Sequence, residues 1–175
     1  MHRLFVALRP PREIREHLLA VMGGVPGARW QDEDQLHLTL RFIGEVDRRT
    51  AEDAATVHAA PLDLQLAGCG MFDTRGKPNA IWAGVTPREP LAALHRKVDQ
   101  ALVRAGLEPE RRAYLPHITL ARLAGSAGPA DRFLADHAAL TSPVFRIQHM
   151  TLYESSLGHG GAIYEPVERY ALTGA

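Results

Sequence analysis

Two short segments of the sequence repeat one pattern of residues that could transfer protons. The segments 37–40 and 117–120 both read His-x-Thr-Leu, and an arginine, Arg41 or Arg122, follows each copy closely. Either histidine alone is more often structural than catalytic. Two chance copies of the pattern in a chain with nine histidines should be rare, on the order of one in a hundred. The repeat is therefore the strongest functional signal in the chain.

A pair of imidazoles can supply an acid and a base at the same pH. The unperturbed pKa of histidine, about 6.5, allows one copy to be neutral while the other is protonated. In-line displacement at a cyclic phosphate needs a base to take a proton from water and an acid to protonate the departing ribose oxygen. Threonine hydroxyls and an arginine could hold the phosphoryl oxygens and absorb the developing charge. This chemistry requires no metal ion.

Each copy lies in a predicted strand, where side chains alternate between the two faces of a sheet. Alternation places His37, Thr39 and Arg41 on one polar face and the intervening leucines on the apolar face. The second copy repeats the arrangement, with His117 and Thr119 on its polar face. Two such strands could direct two imidazoles and two hydroxyls into one groove.

Apolar periodicity predicts an alternation of strands and helices around these segments. The predicted strands cover residues 4–8, 36–43, 62–66, 80–85, 115–123, 144–153 and 163–172. The predicted helices cover residues 11–22, 47–59, 90–106 and 130–140, and a polar turn is predicted over 72–79. Since several strands are joined as hairpins, the expected class is α+β with a mostly antiparallel sheet.

Length and composition exclude several classes of protein. The 175 residues suit one domain, 1–175, or two small, closely packed lobes. No apolar run approaches the roughly 18 residues that span a bilayer, so no membrane association is expected. Cys69 is the only cysteine, which excludes an intrachain disulfide and fits a cytoplasmic protein. Lys+Arg and Asp+Glu are equal at 20 each, so any contact with RNA must be local.

At these residues the sequence resembles the two-histidine phosphoesterase superfamily, and within it the bacterial RNA 2′,3′-cyclic phosphodiesterases once called 2′-5′ RNA ligases. The resemblance runs nearly end to end and is most specific in HLTLRFIGE at 37–45 and PHITLAR at 116–122. It implies two pseudo-symmetric lobes, each a small, mostly antiparallel sheet with outer helices, around a central cleft. The implied partner is RNA with a 2′,3′-cyclic phosphate end, and neither cofactor nor metal is implied.

The same resemblance implies roles for individual residues. His37 and His117 become the catalytic pair, while Thr39, Thr119 and Arg122 bind phosphate. Strict alternation puts Arg122 on the face opposite His117, so its role requires a bulge or a strand end at Ala121. Arg41 needs no such irregularity, and both arginines are carried as phosphate-binding candidates. The resemblance also implies a 2′-phosphomonoester product, with His37 as acid and His117 as base.

Other functions share part of this pattern. Ligation of 2′-5′ RNA junctions and hydrolysis of small cyclic nucleotides would use the same motif. A silent RNA-end binder would not need both motifs intact. A histidine-based metal hydrolase would need about three ligands, and neither motif has a carboxylate or a second histidine at ligand spacing. The expectation is a monomeric, metal-independent enzyme, with Phe72 as a weaker candidate for stacking on a base.

Overall fold

The computed structural model describes residues 2–54 and 56–174. Its elements, in chain order, are β1 (His2–Leu8), α1 (Arg12–Val21), β2 (Ala28–Trp30), a 3-10 turn (Glu33–Gln35), β3 (Leu38–Val46), α2 (Arg48–Ala54), β4 (Leu62–Thr74), β5 (Lys77–Thr86), α3 (Arg88–Arg104), β6 (His117–Leu123), α4 (Asp131–Asp136), β7 (Phe145–Ile147), β8 (His149–Gly158) and β9 (Gly161–Ala171).

The strands of this described part form one antiparallel sheet. Eight of them follow the order β7-β4-β5-β6-β3-β1-β8-β9, and β2 pairs with β6 off this path. Four α-helices accompany the sheet over the same residues. The predicted α+β class is confirmed.

The two motif strands, β3 and β6, are neighbours at the middle of the sheet. They pair antiparallel at one position, Leu38 with Ile118, and these are the residues that directly follow His37 and His117. Each motif therefore belongs to a different half of the sheet, and the halves meet at the motifs. In an antiparallel pair this register also sets His37 beside Thr119, and Thr39 beside His117.

One face of the sheet packs on the helices. Leu4, Val6 and Leu8 of β1 lie on this face with Leu38 and Ile118, and the apolar stripes of α1 and α3 cover it. A smaller apolar cluster of Phe5, Ala7 and Tyr153, with Tyr164 against it, occupies the opposite face. Because Leu38 and Ile118 point to the helices, His37 and His117 point to the opposite side, which we call the catalytic face.

Several predicted boundaries were wrong. The turn predicted over 72–79 is mostly strand, since β4 and β5 run to Thr74 and Lys77 and the reversal needs only Arg75 and Gly76. Gly76 has φ of +80°, a conformation that glycine adopts without steric cost. The strand predicted over 144–153 is split into β7 and β8, while α2 and α4 are shorter than expected. The short strand β2 was not predicted. Among the described residues no helix is long and apolar enough to cross a membrane.

Candidate active site

A β-bulge interrupts each motif strand directly after the threonine. In the pairing of β1 with β3, Ala7 faces Thr39 and Val6 faces Arg41, so Leu40 is an extra residue. In the pairing of β5 with β6, Trp82 faces Thr119 and Ile81 faces Ala121, so Leu120 is extra in the same way. An extra residue shifts every later side chain to the other face of the sheet. Arg41 and Ala121, which directly follow the two His-x-Thr-Leu segments, therefore point into the core. The next residues, Phe42 and Arg122, point to the catalytic face.

This shift moves Arg41 away from the histidines. Alternation placed it beside His37 and Thr39, but its side chain is only 7% exposed and its Nε donates to Asp99 Oδ1 at 2.8 Å. Its Nη1 lies 3.9 Å from Glu110 Oε2. The placement of Arg41 on the catalytic face was wrong, because the bulge at Leu40 turns the side chain toward α3.

The same shift brings Arg122 onto the catalytic face. The predicted irregularity exists, one residue earlier than Ala121, at Leu120. Burial is the main cause of the lowered pKa at His37 and His117, and the Arg122 charge adds to it. At Tyr164, burial raises the pKa of the phenol and the Arg122 charge opposes that rise. Its guanidinium makes no hydrogen bond or ion pair with another residue of the described chain. In the first copy the equivalent position is Phe42, which stacks on Phe5 with 6.2 Å between ring centroids.

The extra residues leave backbone carbonyls outside the regular ladder, and other groups satisfy them. The Leu40 carbonyl accepts a hydrogen bond of 2.7 Å from Nδ1 of the buried His95. The Leu120 carbonyl accepts one of 2.8 Å from the backbone N–H of Gln31. Tyr114, stacked on His95, donates its hydroxyl to the Thr39 carbonyl at 3.0 Å. These contacts hold both bulges in place without a polar group from the catalytic face.

The two histidines are fixed by identical contacts. His37 Nδ1 lies 2.7 Å from the Gln35 carbonyl oxygen, and His117 Nδ1 lies 2.7 Å from the Leu115 carbonyl oxygen. A carbonyl oxygen can only accept, so each Nδ1 must carry a proton. The neutral ring then has its lone pair on Nε2, the atom that is left to exchange protons.

Aromatic rings surround both imidazoles. The His37 ring centroid is 5.0 Å from both Phe5 and Tyr164, and 6.5 Å from Tyr153. On the other side, His117 lies 4.8 Å from Phe72 and 6.2 Å from Trp82. Gly70 makes room for this Trp82 ring, because a Cβ there would lie 2.2 Å from an indole carbon.

Burial among these rings lowers the pKa of both histidines. Desolvation is the main cause at His37, where the pKa falls to about 4 although the bond to the Gln35 carbonyl opposes the shift. Desolvation also lowers the pKa of His117, by less. The larger fall in pKa favours the neutral form at His37, so His117 is the better candidate for the protonated acid, the reverse of the roles that the resemblance implies.

The threonines of the motifs are available to a ligand. Thr39 and Thr119 are half-buried, and neither hydroxyl has a hydrogen-bond partner within the described residues. The structure thus brings together five of the six predicted site residues: His37, His117, Thr39, Thr119 and Arg122. No cluster of three or more His, Cys, Asp or Glu side chains suited to a metal ion occurs in residues 2–54 and 56–174.

The aromatic residues other than Phe72 were missed by reasoning from the sequence. Phe5, Tyr153 and Tyr164 come from β1, β8 and β9, which are remote in sequence from His37. Period-two alternation in β1 and β8 could have placed Phe5 and Tyr153 on a common face. Nothing local in the sequence indicates that this face also receives His37.

A family model described as "2′-5′ RNA ligase superfamily" matches residues 10–159. The chain belongs to this superfamily. Within it, an RNA 2′,3′-cyclic phosphodiesterase of Escherichia coli K12 is 31% identical over 98% of this chain and 97% of its own length. A protein of the same name from Geobacillus stearothermophilus is 29% identical over 98% of this chain. The chain spans 57% of the Geobacillus protein's length.

Two solved structures have a fold similar to that of this chain. Escherichia coli LigT complexed with 3′-AMP matches with a TM-score of 0.75 and 28% identity over 98% of both chains. The protein TT0787 of Thermus thermophilus matches with a TM-score of 0.79 and 25% identity, again over 98% of both chains.

The two candidate arginines should behave in opposite ways when changed to methionine. Arg41→Met leaves Asp99 and Glu110 without their cation, and we expect the free energy of unfolding to fall by about 2–3 kcal/mol, less than for a fully buried pair because Asp99 is partly exposed. Arg122→Met should change that free energy by less than about 0.5 kcal/mol but lower kcat/KM on a cyclic phosphate by about 10- to 100-fold. Urea titration and initial rates measure the two quantities. Equal effects on stability would contradict the opposite placement of the two side chains.

The depressed histidine pKa values predict an acid-shifted pH profile for kcat/KM. The active form carries one proton on the pair, so kcat/KM should rise through pH 4 and fall before pH 6.5 is passed. A bound phosphate anion favours the imidazolium, so the falling limb of kcat should lie at higher pH than that of kcat/KM. Rates from pH 3.5 to 9 test this. A kcat/KM that is flat above pH 5 would contradict the mechanism.

Proposed function

We propose that the protein hydrolyses the 2′,3′-cyclic phosphate at the 3′ end of RNA. The observation that carries this proposal is the pair of imidazoles on one face, each with Nδ1 bound to a carbonyl and Nε2 left for proton transfer. The names of the E. coli and Geobacillus relatives, RNA 2′,3′-cyclic phosphodiesterase, support the same substrate. The enzyme is then a hydrolase that acts on a phosphodiester bond.

The reaction breaks one phosphorus–oxygen bond and forms another. One Nε2 accepts a proton from water as the water oxygen attacks phosphorus. The other Nε2–H donates its proton to the departing ribose oxygen on the opposite side of the phosphorus. Thr39, Thr119 and Arg122 hold the non-bridging oxygens with hydrogen bonds that strengthen as charge develops. If O3′ departs, as the family resemblance implies, the product is a 2′-phosphomonoester.

Two arguments assign the acid and the base differently. The resemblance makes His37 the acid, whereas the larger fall in the pKa of His37 makes it the better candidate for the neutral base. An aryl phosphodiester with a nitrophenolate leaving group separates them, because nitrophenolate departs without a proton. The variant that lacks the acid should retain most of its rate on the aryl substrate, and the variant that lacks the base should not.

The proposal also covers the metal requirement, the oligomeric state and the cellular compartment of the enzyme. We propose that it acts without a metal ion, as a monomer, in the cytoplasm. The proton transfers described above need no Lewis acid, and a single cysteine fits a reducing compartment. Full activity in a strong chelator and elution at the monomer mass of 19.2 kDa would agree with the first two statements.

The superfamily's description includes a 2′-5′ RNA ligase activity, which suggests that the same two histidines could also catalyse the joining of RNA strands. If the 5′-hydroxyl of another RNA strand replaces water as the attacking group, the same base and acid join the two strands. Excess water favours hydrolysis, so joined product should form only at high strand concentration.

The proposed function is tested with an oligonucleotide that ends in a 2′,3′-cyclic phosphate. We expect phosphorus NMR to show conversion to the 2′-phosphate, compared with authentic 2′- and 3′-phosphate standards. His37→Ala and His117→Ala should each lower the rate at least about 100-fold, because each removes one proton transfer. His58→Ala, which changes a histidine outside the catalytic face, should leave the rate unchanged. A folded His37 or His117 variant with more than a tenth of the rate would refute the paired mechanism, and a 3′-phosphate product would refute the regiochemistry alone.

A further inference from the structure

A concave site lies beside the histidine pair, on the same face of the sheet. It is a cavity of about 520 Å³ that neither catalytic histidine lines. Its wall includes Thr151 and Tyr153 of β8, which pair in the sheet with Ala7 and Phe5. Tyr153 lies 6.5 Å from the His37 ring, measured between centroids. The cavity therefore begins one side chain away from the candidate catalytic pair.

The lining of this cavity is rich in arginine. Four arginines contribute to it, Arg9, Arg15, Arg146 and Arg169, and the described lining contains no aspartate or glutamate. Three of these arginines have carboxylate partners that lie outside the lining: Asp34 for Arg9, Glu33 for Arg15 and Asp63 for Arg146. Arg169 has no carboxylate partner among the described residues, and the other three arginines reach the cavity while their carboxylates lie outside its lining. The cavity therefore has a positive potential that favours an anion.

Two polar groups inside the cavity point to a ligand with acceptor oxygens. Thr151 is only 7% exposed, and its hydroxyl has no hydrogen-bond partner within the described residues. Arg169 donates from Nη2 to His149 Nδ1 at 3.1 Å, which orients the guanidinium but leaves its charge without a carboxylate among those residues. A hydroxyl and a guanidinium together are common partners of a phosphate oxygen.

We propose that this cavity binds the RNA phosphodiester on the 5′ side of the terminal nucleotide. The inference rests on the proposed function, because it takes the terminal cyclic phosphate to lie between His37 and His117. A strand held there has its next phosphate one nucleotide away, and Tyr153 connects the two positions. The arginines would then distinguish an RNA chain end from a free cyclic mononucleotide, which has no second phosphate.

Arg146 and Arg169 are the side chains to change. Arg15 is tied to the Pro10 carbonyl and to Glu33, and it supports the start of α1. The double variant Arg146→Gln and Arg169→Gln should lower kcat/KM by about 10- to 100-fold on a trinucleotide that ends in a 2′,3′-cyclic phosphate. It should leave kcat/KM unchanged on adenosine 2′,3′-cyclic phosphate. The charge-retaining Arg146→Lys and Arg169→Lys variant should keep most of the trinucleotide rate. The double variant Arg88→Gln and Arg104→Gln, at the two exposed ends of α3, removes the same two charges and controls for net charge.

Salt dependence gives a readout that a merely structural role would not change. Binding of a labelled trinucleotide, followed by fluorescence anisotropy, should weaken with salt less steeply in the glutamine variant. The logarithmic slope should fall by about 0.7 for each phosphate that the variant no longer neutralises. This binding assay also tests the cavity if the wild-type protein hydrolyses neither substrate, an outcome that would refute the proposed function alone.

Three results would overturn the proposal. Equal losses on the trinucleotide and the mononucleotide would show that the arginines act on the catalytic pair or on the fold. Unchanged kinetics and binding on both would show that the cavity does not contact RNA. The third result would come from calorimetric titration with inorganic phosphate. If the glutamine variant no longer bound phosphate but its trinucleotide kinetics were unaffected, the cavity would be a site for free phosphate.

Discussion

The extra residue in each motif strand is the constraint on which the candidate site depends. In β3 and β6 a bulge follows the threonine, so residues 40 and 41, and likewise 120 and 121, enter the core in succession. The next residue of each strand, 42 or 122, then returns to the catalytic face. Without the bulge at Leu120, Arg122 would lie among the helices and the face would lack its unpaired guanidinium. The carbonyls that each bulge exposes are satisfied by His95 and Gln31, so the irregular geometry is built into the fold rather than created by a ligand.

The chemistry of the pair follows from two further features of the same strands. Carbonyls two residues before each histidine hold Nδ1–H and leave Nε2 on the catalytic face. Aromatic rings exclude water from both imidazoles and lower their pKa values. In the proposed mechanism, such a site resists protonation until an anion arrives, and the charge of a bound phosphate then restores the protonated form of one ring. The proposal thereby couples substrate binding to activation of the acid through one electrostatic effect.

The sequence allowed the fold class, the motif strands and the position of five of the six candidate residues on one face to be predicted, because these depend on local periodicity and on a repeated pattern. Arg41 failed because pleat alternation assumes a regular strand, and a bulge depends on pairing with residues far away in the chain. Its partner Asp99 lies 58 residues further on. The aromatic surroundings of His37 escaped prediction for the same reason, since Phe5, Tyr153 and Tyr164 meet only when β1, β8 and β9 pair. The arginine-lined cavity likewise combines residues from both ends of the chain.

Nitrogen-15 NMR of histidine-labelled protein tests the central claim most directly, since it reports the protonation of each ring nitrogen without relying on a substrate. Signals would be assigned by their disappearance in the His37→Ala and His117→Ala variants. The bonds to the Gln35 and Leu115 carbonyls predict that both neutral rings carry their proton on Nδ1 and that both titrate below pH 6.5. A proton on Nε2 of either neutral ring, or an imidazolium at either position at pH 7 in the free protein, would contradict the account.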